Sequence, residues 1–97
     1  MKIRLCYAST RQGLESDLIE DLSDILTTAR NFNAEHQIFG VLYYANGYYF
    51  QCLEGEQYLI EALFERIKHD HRHMTVIHLG SSQIVKLSFK KWSMKYV

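Results

Sequence analysis

Apolar and polar residues alternate along this chain with two different periods, and each changeover marks a new element. Ile3, Leu5 and Tyr7 alternate with Arg4, Cys6 and Ala8, which predicts a first strand. Ser9 to Glu15 is polar, contains Gly13 and reads as a connection. Ser16 then stands as a candidate N-cap, with Asp17 in the first turn, where the helix dipole favours negative charge. Leu18, Leu22, Ile25, Ala29 and Phe32 follow at steps of four and three, with Leu26 and Asn33 on the adjoining ridge, so a long amphipathic helix is expected. "IFGVLYYA", from Ile38 to Ala45, returns to strand, and Asn46-Gly47 predicts a two-residue hairpin turn of type I′. "YYFQCLEG", from Tyr48, is then the return arm. That register sets Leu42 opposite Gln51 and Tyr44 opposite Tyr49, so Tyr49, Gln51 and Leu53 share a sheet face with Leu42 and Tyr44. Gly55 ends the strand, and from about Glu56 a second helix carries Leu59, Ile60, Leu63, Phe64 and Ile67, finishing in "KHDHRH". "MTVIHL", from Met74 to Leu79, is a fourth strand. After a "GSSQ" turn, a final extended segment runs through Phe89, Trp92, Met94 and Tyr96.

The order β-α-β-β-α-β-β predicts an α+β fold, a ferredoxin-like split βαβ sandwich with a five-stranded mixed sheet. Right-handed crossovers place both helices on one face of that sheet. No repeat, linker or low-complexity tract interrupts the chain, which reads as one domain over residues 1–97. At 47% hydrophobic and 23% charged residues its composition is that of an ordinary globular protein. Eleven basic residues balance eleven acidic ones, so no net field draws the protein to nucleic acid or anionic lipid. Cys6 and Cys52 form no CxxC pattern, so neither a disulfide framework nor a thiolate metal site is expected, and a reducing cytoplasm fits. Lys2 and Arg4 break the N-terminal apolar run, and no stretch approaches a membrane span, so a cytoplasmic location is expected.

Three polar residues stand out of place. Gln51 lies in an aromatic strand, Tyr7 in the apolar pattern of the first strand, and Asn33 on the apolar side of the first helix. In a split βαβ plan the first and third strands are neighbours, which brings phenol and amide within reach of each other beneath the helix of Asn33. Each has an ordinary explanation: a phenol bonded to a carbonyl, a helix C-cap, a glutamine in solvent. Their convergence on one apolar slot is what argues for a site. The alternating His69, His71 and His73 do not share a helix face, and no metal is expected there.

"RLCYAS" with Tyr7, "ARNFNAEHQIFGVLYY" with Asn33, "FQCLEGE" with Gln51, "IKHDHRH", and "FKKWSMKY" with Trp92 and Met94 stand in order from Arg4 to about Tyr96. Together they resemble the consecutive motifs of BLUF domains, flavin-binding sensors of blue light. Phe39 departs from the pattern, which has a small residue before this glycine. The resemblance implies FAD as cofactor, with FMN or riboflavin as variants, its ring lying between the two helices with Ile25 and Ile67 as jaws. It implies that Asn33 bonds the pyrimidine edge and that Gln51 reaches N5 or the C4 carbonyl. Arg30 or Arg72 would serve the C2 carbonyl, with Arg66 and Asp70 near the ribityl chain. By the same analogy Tyr7 gives an electron to the excited flavin and a proton follows through Gln51, leaving the amide rotated or tautomerised. Trp92 and Met94 would then compete for the place beside Gln51 and pass the signal on. No substrate bond changes, so no enzyme is implied, and the output goes to an unknown partner protein, with a homodimer through the outer sheet face as an option.

Two other classes fit the fold plan. An RNA-binding module would stack bases on "YYF", against a net charge of zero. An acylphosphatase-like hydrolase would need an anion cradle, for which "STRQG", with Arg11 and Gly13, is the candidate.

Overall fold

Asn46 and Gly47 take φ of 53° and 84°, the left-handed pair that a type I′ turn demands, and this turn sets the register of the central hairpin. The computed structural model describes residues 1–11, 15–70, 73–90 and 92–96. Strand β2 (Phe39–Ala45) pairs with β3 (Tyr48–Glu56), with Leu42 opposite Gln51 and Tyr44 opposite Tyr49, as the turn predicts. β3 in turn pairs antiparallel with β1 (Lys2–Arg11), and β1 with β4 (His73–Gln83). A short β5 (Lys95–Tyr96) runs parallel to β2, completing the order β4-β1-β3-β2-β5. Helices α1 (Leu18–His36) and α2 (Gln57–Lys68) form the two crossovers, and the expected five-stranded mixed sheet results.

Alternation puts Leu5, Tyr7, Leu42, Tyr49, Gln51 and Leu53 on the face that meets the helices. The core joins these to Leu22 and Ile25 of α1 and Ile60 of α2. Fully burying one such leucine or isoleucine contributes about 1.5–3 kcal/mol, and Leu42, Leu53 and Ile60 are all completely enclosed. The outer face carries Tyr43, Tyr48, Phe50, Ile77 and Leu79, all exposed.

Several boundaries differ from the sequence reading. Ser16 lies in a 3-10 turn over Glu15–Asp17, and Asp17 takes the N-cap position of α1 without a side-chain capping bond. β1 runs on to Arg11, whose N–H donates to the Gly47 carbonyl at 2.8 Å. The "GSSQ" stretch is not a turn but the end of β4, because Ser81 and Gln83 pair with Leu5 and Ile3 and register shifts absorb the extra residues. The left-handed C-cap of α1 is Gln37, with φ of 54°, so capping, the ordinary alternative weighed for Asn33, does not account for it.

The last segment is extended only at Lys95–Tyr96. Ahead of it the chain bends as it passes from the outer face, where Ser88 meets Glu54, to the edge of β2 that β5 joins, with Met94 on the helix side. Gly40 marks that edge: its N–H donates to the Trp92 carbonyl at 3.1 Å. A Cβ there would stand 2.6 Å from the Cys52 carbonyl oxygen.

Cys6 and Cys52 overturn the expectation that no disulfide forms. They face each other across β1 and β3 with Cα atoms 4.2 Å apart and are joined as a disulfide. Sequence separation hid this pairing; the strand register creates it.

Candidate functional site

Register places Tyr7 directly opposite Gln51, both on the helix side. The Tyr7 hydroxyl donates to Gln51 Oε1, and both residues are buried. The other end of the amide, Nε2, points at the Met94 sulfur at 3.5 Å, a weak acceptor. Gln51 is thus held firmly by a phenol on one side and loosely by a thioether on the other.

Gln51 opens into a slot of about 210 Å³ between α1 and α2. Ile25 and Ala29 wall it on one helix, and Leu63 and Ile67 on the other. Phe32 and Thr28 continue the α1 wall, while Asn33, Arg66 and Asp70 supply polar groups. Asn33 is buried in the slot wall and donates through Nδ2 to the Ser93 carbonyl at 2.6 Å. The Arg66 guanidinium lies over the Phe32 ring, 5.0 Å from its centroid.

Burial pushes the Tyr7 phenol far above the ordinary tyrosine value, and the Asp70 charge and Tyr49 add to this. The hydroxyl is therefore a committed hydrogen-bond donor at neutral pH.

Among the residues expected at the site, Ile25, Asn33, Gln51, Arg66, Ile67 and Asp70 all line the slot, with Tyr7 behind Gln51. Arg30 is turned elsewhere: its Nε donates to the Met94 carbonyl at 3.0 Å, and it does not line the slot. Arg72 and His71 lie outside the described residues, as does Gly13 of the "STRQG" candidate. Arg11 from that stretch forms an ion pair with Asp21 at 2.7 Å. Met94 is buried beside Gln51, whereas Trp92 is 37% exposed and stacks on Phe89. The two do not share one environment. Thr28, Ala29, Phe32 and Leu63 were not read as site residues. Helical spacing could have found two of them, since Ala29 lies one turn beyond Ile25 and Leu63 one turn before Ile67.

The slot suits a flat heteroaromatic ring. Its walls are apolar side chains from two facing helices, and its inner end is a buried amide whose NH₂ group meets a thioether among the described residues. A ring nitrogen or carbonyl would be a better acceptor than sulfur. A larger open groove, of about 500 Å³, runs on the other side of α2 and is lined by Ile3, Phe64 and His78 among others. It does not include the buried amide.

Residues 3–95 match the family model described as sensors of blue light using FAD. Beta-subunit photoactivated adenylate cyclase of Euglena gracilis is 40% identical over 65 residues, which is 65% of this chain and 8% of the relative. The chain thus spans only a small part of the curated relatives it matches. Among solved structures, the photo-activated state of BlsA superposes with a TM-score of 0.96 at 55% identity, covering 100% of this chain and 69% of that one. A bacterial light-regulated adenylyl cyclase superposes with a TM-score of 0.93 at 34% identity, covering 100% of this chain and 28% of the other. Among the described residues, no helix is long and apolar enough to cross a membrane. The slot, the Tyr7–Gln51 pair at its inner end and a family match spanning nearly the whole chain lead to one assignment: this chain belongs to the BLUF family of flavin-binding blue-light sensors.

Proposed function

We propose that this domain binds oxidised FAD between α1 and α2 and converts blue light into a changed hydrogen bond at Gln51. The observation that carries this is the position of the Gln51 amide, bonded to Tyr7 at one end and set in the slot wall at the other. Ile25 and Ile67 would clamp the ring faces, Asn33 would bond its pyrimidine edge, and Arg66 and Asp70 would meet the ribityl chain. Arg30, held by the Met94 carbonyl, would have to turn to reach the ring, and Arg72 is the other candidate for that contact. FAD is the form named for the family, and FMN accompanies the related Klebsiella pneumoniae BlrP1, which is 28% identical, superposes with a TM-score of 0.90 and is covered to 26%.

When bound, the flavin supplies absorption of blue light and, once excited, an oxidant able to draw an electron from a phenol. Tyr7 would be the phenol that responds, a reading supported by its hydroxyl donating to Gln51, which gives its proton a path to that amide. Gln51 carries an acceptor at one end and a donor at the other, so rotation or tautomerisation exchanges what it presents to the slot. Either change removes the reason for Met94 to stay against Nε2. Loss of that weak contact would loosen the Met94 side chain and shift the balance of the segment carrying Trp92 and Met94, whose backbone stays bonded to Gly40, Asn33 and Arg30.

The domain itself works without turnover, and its signal passes to another protein. Relatives named as photoactivated or light-regulated cyclases join such a domain to an effector. The exposed Tyr43, Phe50, Ile77 and Leu79 offer the outer sheet face to such a partner or to a second copy.

Gln51→Leu tests the reading. The variant should bind flavin, because the helix walls remain, and show no light-induced red shift. A normal shift in Gln51→Leu would remove Gln51 from the mechanism.

A further inference from the structure

Glu54 is a completely buried carboxylate on the outer face of β3, three residues beyond Gln51, and the switch described above makes no use of it. Its Oε1 accepts the backbone N–H groups of Ser88 at 2.7 Å and Phe89 at 2.8 Å. Its Oε2 accepts Nε and Nη2 of Arg4 at 2.9 and 2.6 Å, and the same Nη2 donates to Ser88 Oγ at 2.7 Å. Arg4 also lies over the Phe89 ring, which stacks on Trp92. Charge-assisted bonds of this kind are the strong ones, and the Glu54 carboxylate is fully enclosed while Arg4 stays partly exposed.

The other end of the same segment is held differently. Ser93 and Met94 are bonded through their carbonyls to Asn33 and Arg30 of α1, and the bond from Gln51 to Met94 goes to sulfur, a weak acceptor. β3 therefore grips the segment twice, strongly at Ser88–Phe89 through Glu54 and weakly at Met94 through Gln51. Of these two grips by β3, the weak one faces the slot, as does the Asn33 bond to Ser93, whereas the Glu54 clamp lies on the opposite face of the sheet.

We propose that Glu54, with Arg4, is a positioning residue that pins residues 88–89 to the photoactive strand and so confines the light response to Trp92 onward. The inference rests on Gln51 being the switch. With the clamp in place, a displaced Met94 side chain stays close to its dark position and returns to it; without it, the segment keeps its bonds from Gly40, Asn33 and Arg30 but loses its anchor at Ser88–Phe89, so Met94 finds its place again more slowly. Glu54→Gln breaks the clamp selectively. The amide oxygen can still accept from Ser88 and Phe89, but its NH₂ now faces the Arg4 guanidinium, donor against donor. Arg4→Lys removes the two-pronged contact while keeping the charge, from a partly exposed position that tolerates change.

The test is to compare wild type, Glu54→Gln and Arg4→Lys, each loaded with flavin, by visible spectrum, dark recovery and light-minus-dark hydrogen exchange. All three should show the red shift, since Tyr7 and Gln51 are untouched. In wild type the exchange difference should lie from Trp92 onward. In Glu54→Gln it should spread back through residues 84–90, and dark recovery should slow by about tenfold, the effect of losing one charge-assisted bond. Arg4→Lys should move both readouts the same way by less, and it decides the matter if Glu54→Gln does not fold. Variants that shift normally and keep the wild-type exchange pattern and recovery would overturn the proposal alone. A wild-type protein that binds flavin without any light-induced shift would overturn it together with the reading beneath it.

Discussion

Tyr7 and Gln51 are direct cross-strand partners, and the phenol donates its hydrogen bond to the amide oxygen inside the core. The pair needs both strands in one register, since a slip of one residue would turn either side chain to the outer face. Tyr7→Phe keeps the ring and removes the donor. It should fold with a loss of about 0.5–1.5 kcal/mol, retain flavin, and lose the red shift. Urea unfolding and a light-minus-dark spectrum measure the two effects separately.

Alkaline pH should leave this pair intact over a wide range. Burial raises the folded pKa of Tyr7 above the unfolded value near 10, so the protonated phenol favours the folded state below that value. That contribution is lost only as pH climbs past the unfolded pKa towards the folded one. The red shift should therefore be constant from about pH 6 to pH 9. Tyrosinate absorbance should show Tyr7 ionising only together with unfolding. A light response that fades with an apparent pKa well below 10 would contradict this.

Gly40 has no room for a side chain. A Cβ would lie 2.6 Å from the Cys52 carbonyl oxygen and 3.3 Å from Met94 Cε, so Gly40→Ala must push β2 from β3 and crowds Met94 as well. The expected cost is about 1–3 kcal/mol, read as a lower urea midpoint with unchanged slope. Dark recovery should change as well, because the Met94 seat beside Gln51 is disturbed.

The disulfide between Cys6 and Cys52 closes a loop with a sequence separation of 46 residues. By chain entropy alone it can stabilise the fold by up to about 4 kcal/mol. Unreduced protein should yield no thiol to a maleimide reagent, and reductant should lower the unfolding midpoint. Two reactive thiols in folded, unreduced protein would contradict the bond.

How far the sequence reached depends on whether the information was local. The hairpin could be read because Asn46-Gly47 dictates its own turn type, and that turn alone put Gln51 on the buried face beside Leu42. The helix walls of the slot followed from the spacing that sets Ile25 and Ile67 on apolar faces. What was missed depends on contacts between distant segments. The Cys6–Cys52 bond exists only once β1 and β3 are in register. Glu54 looks like an ordinary exposed carboxylate until the chain beyond β4 folds back over it. The last segment reads as one strand because its apolar residues alternate, yet it must round the edge of β2, and this separates Trp92 from Met94. Arg30 could equally reach the slot or the Met94 carbonyl from its place on α1, and sequence spacing does not choose between them.

The central claim is that light acts through Gln51, and the visible spectrum of the flavin-loaded protein tests it most directly. Spectra are taken in the dark, immediately after blue illumination, and during return to darkness. The account predicts a structured flavin band that moves slightly to the red and recovers fully. A flavin band that stays in place under illumination would contradict it.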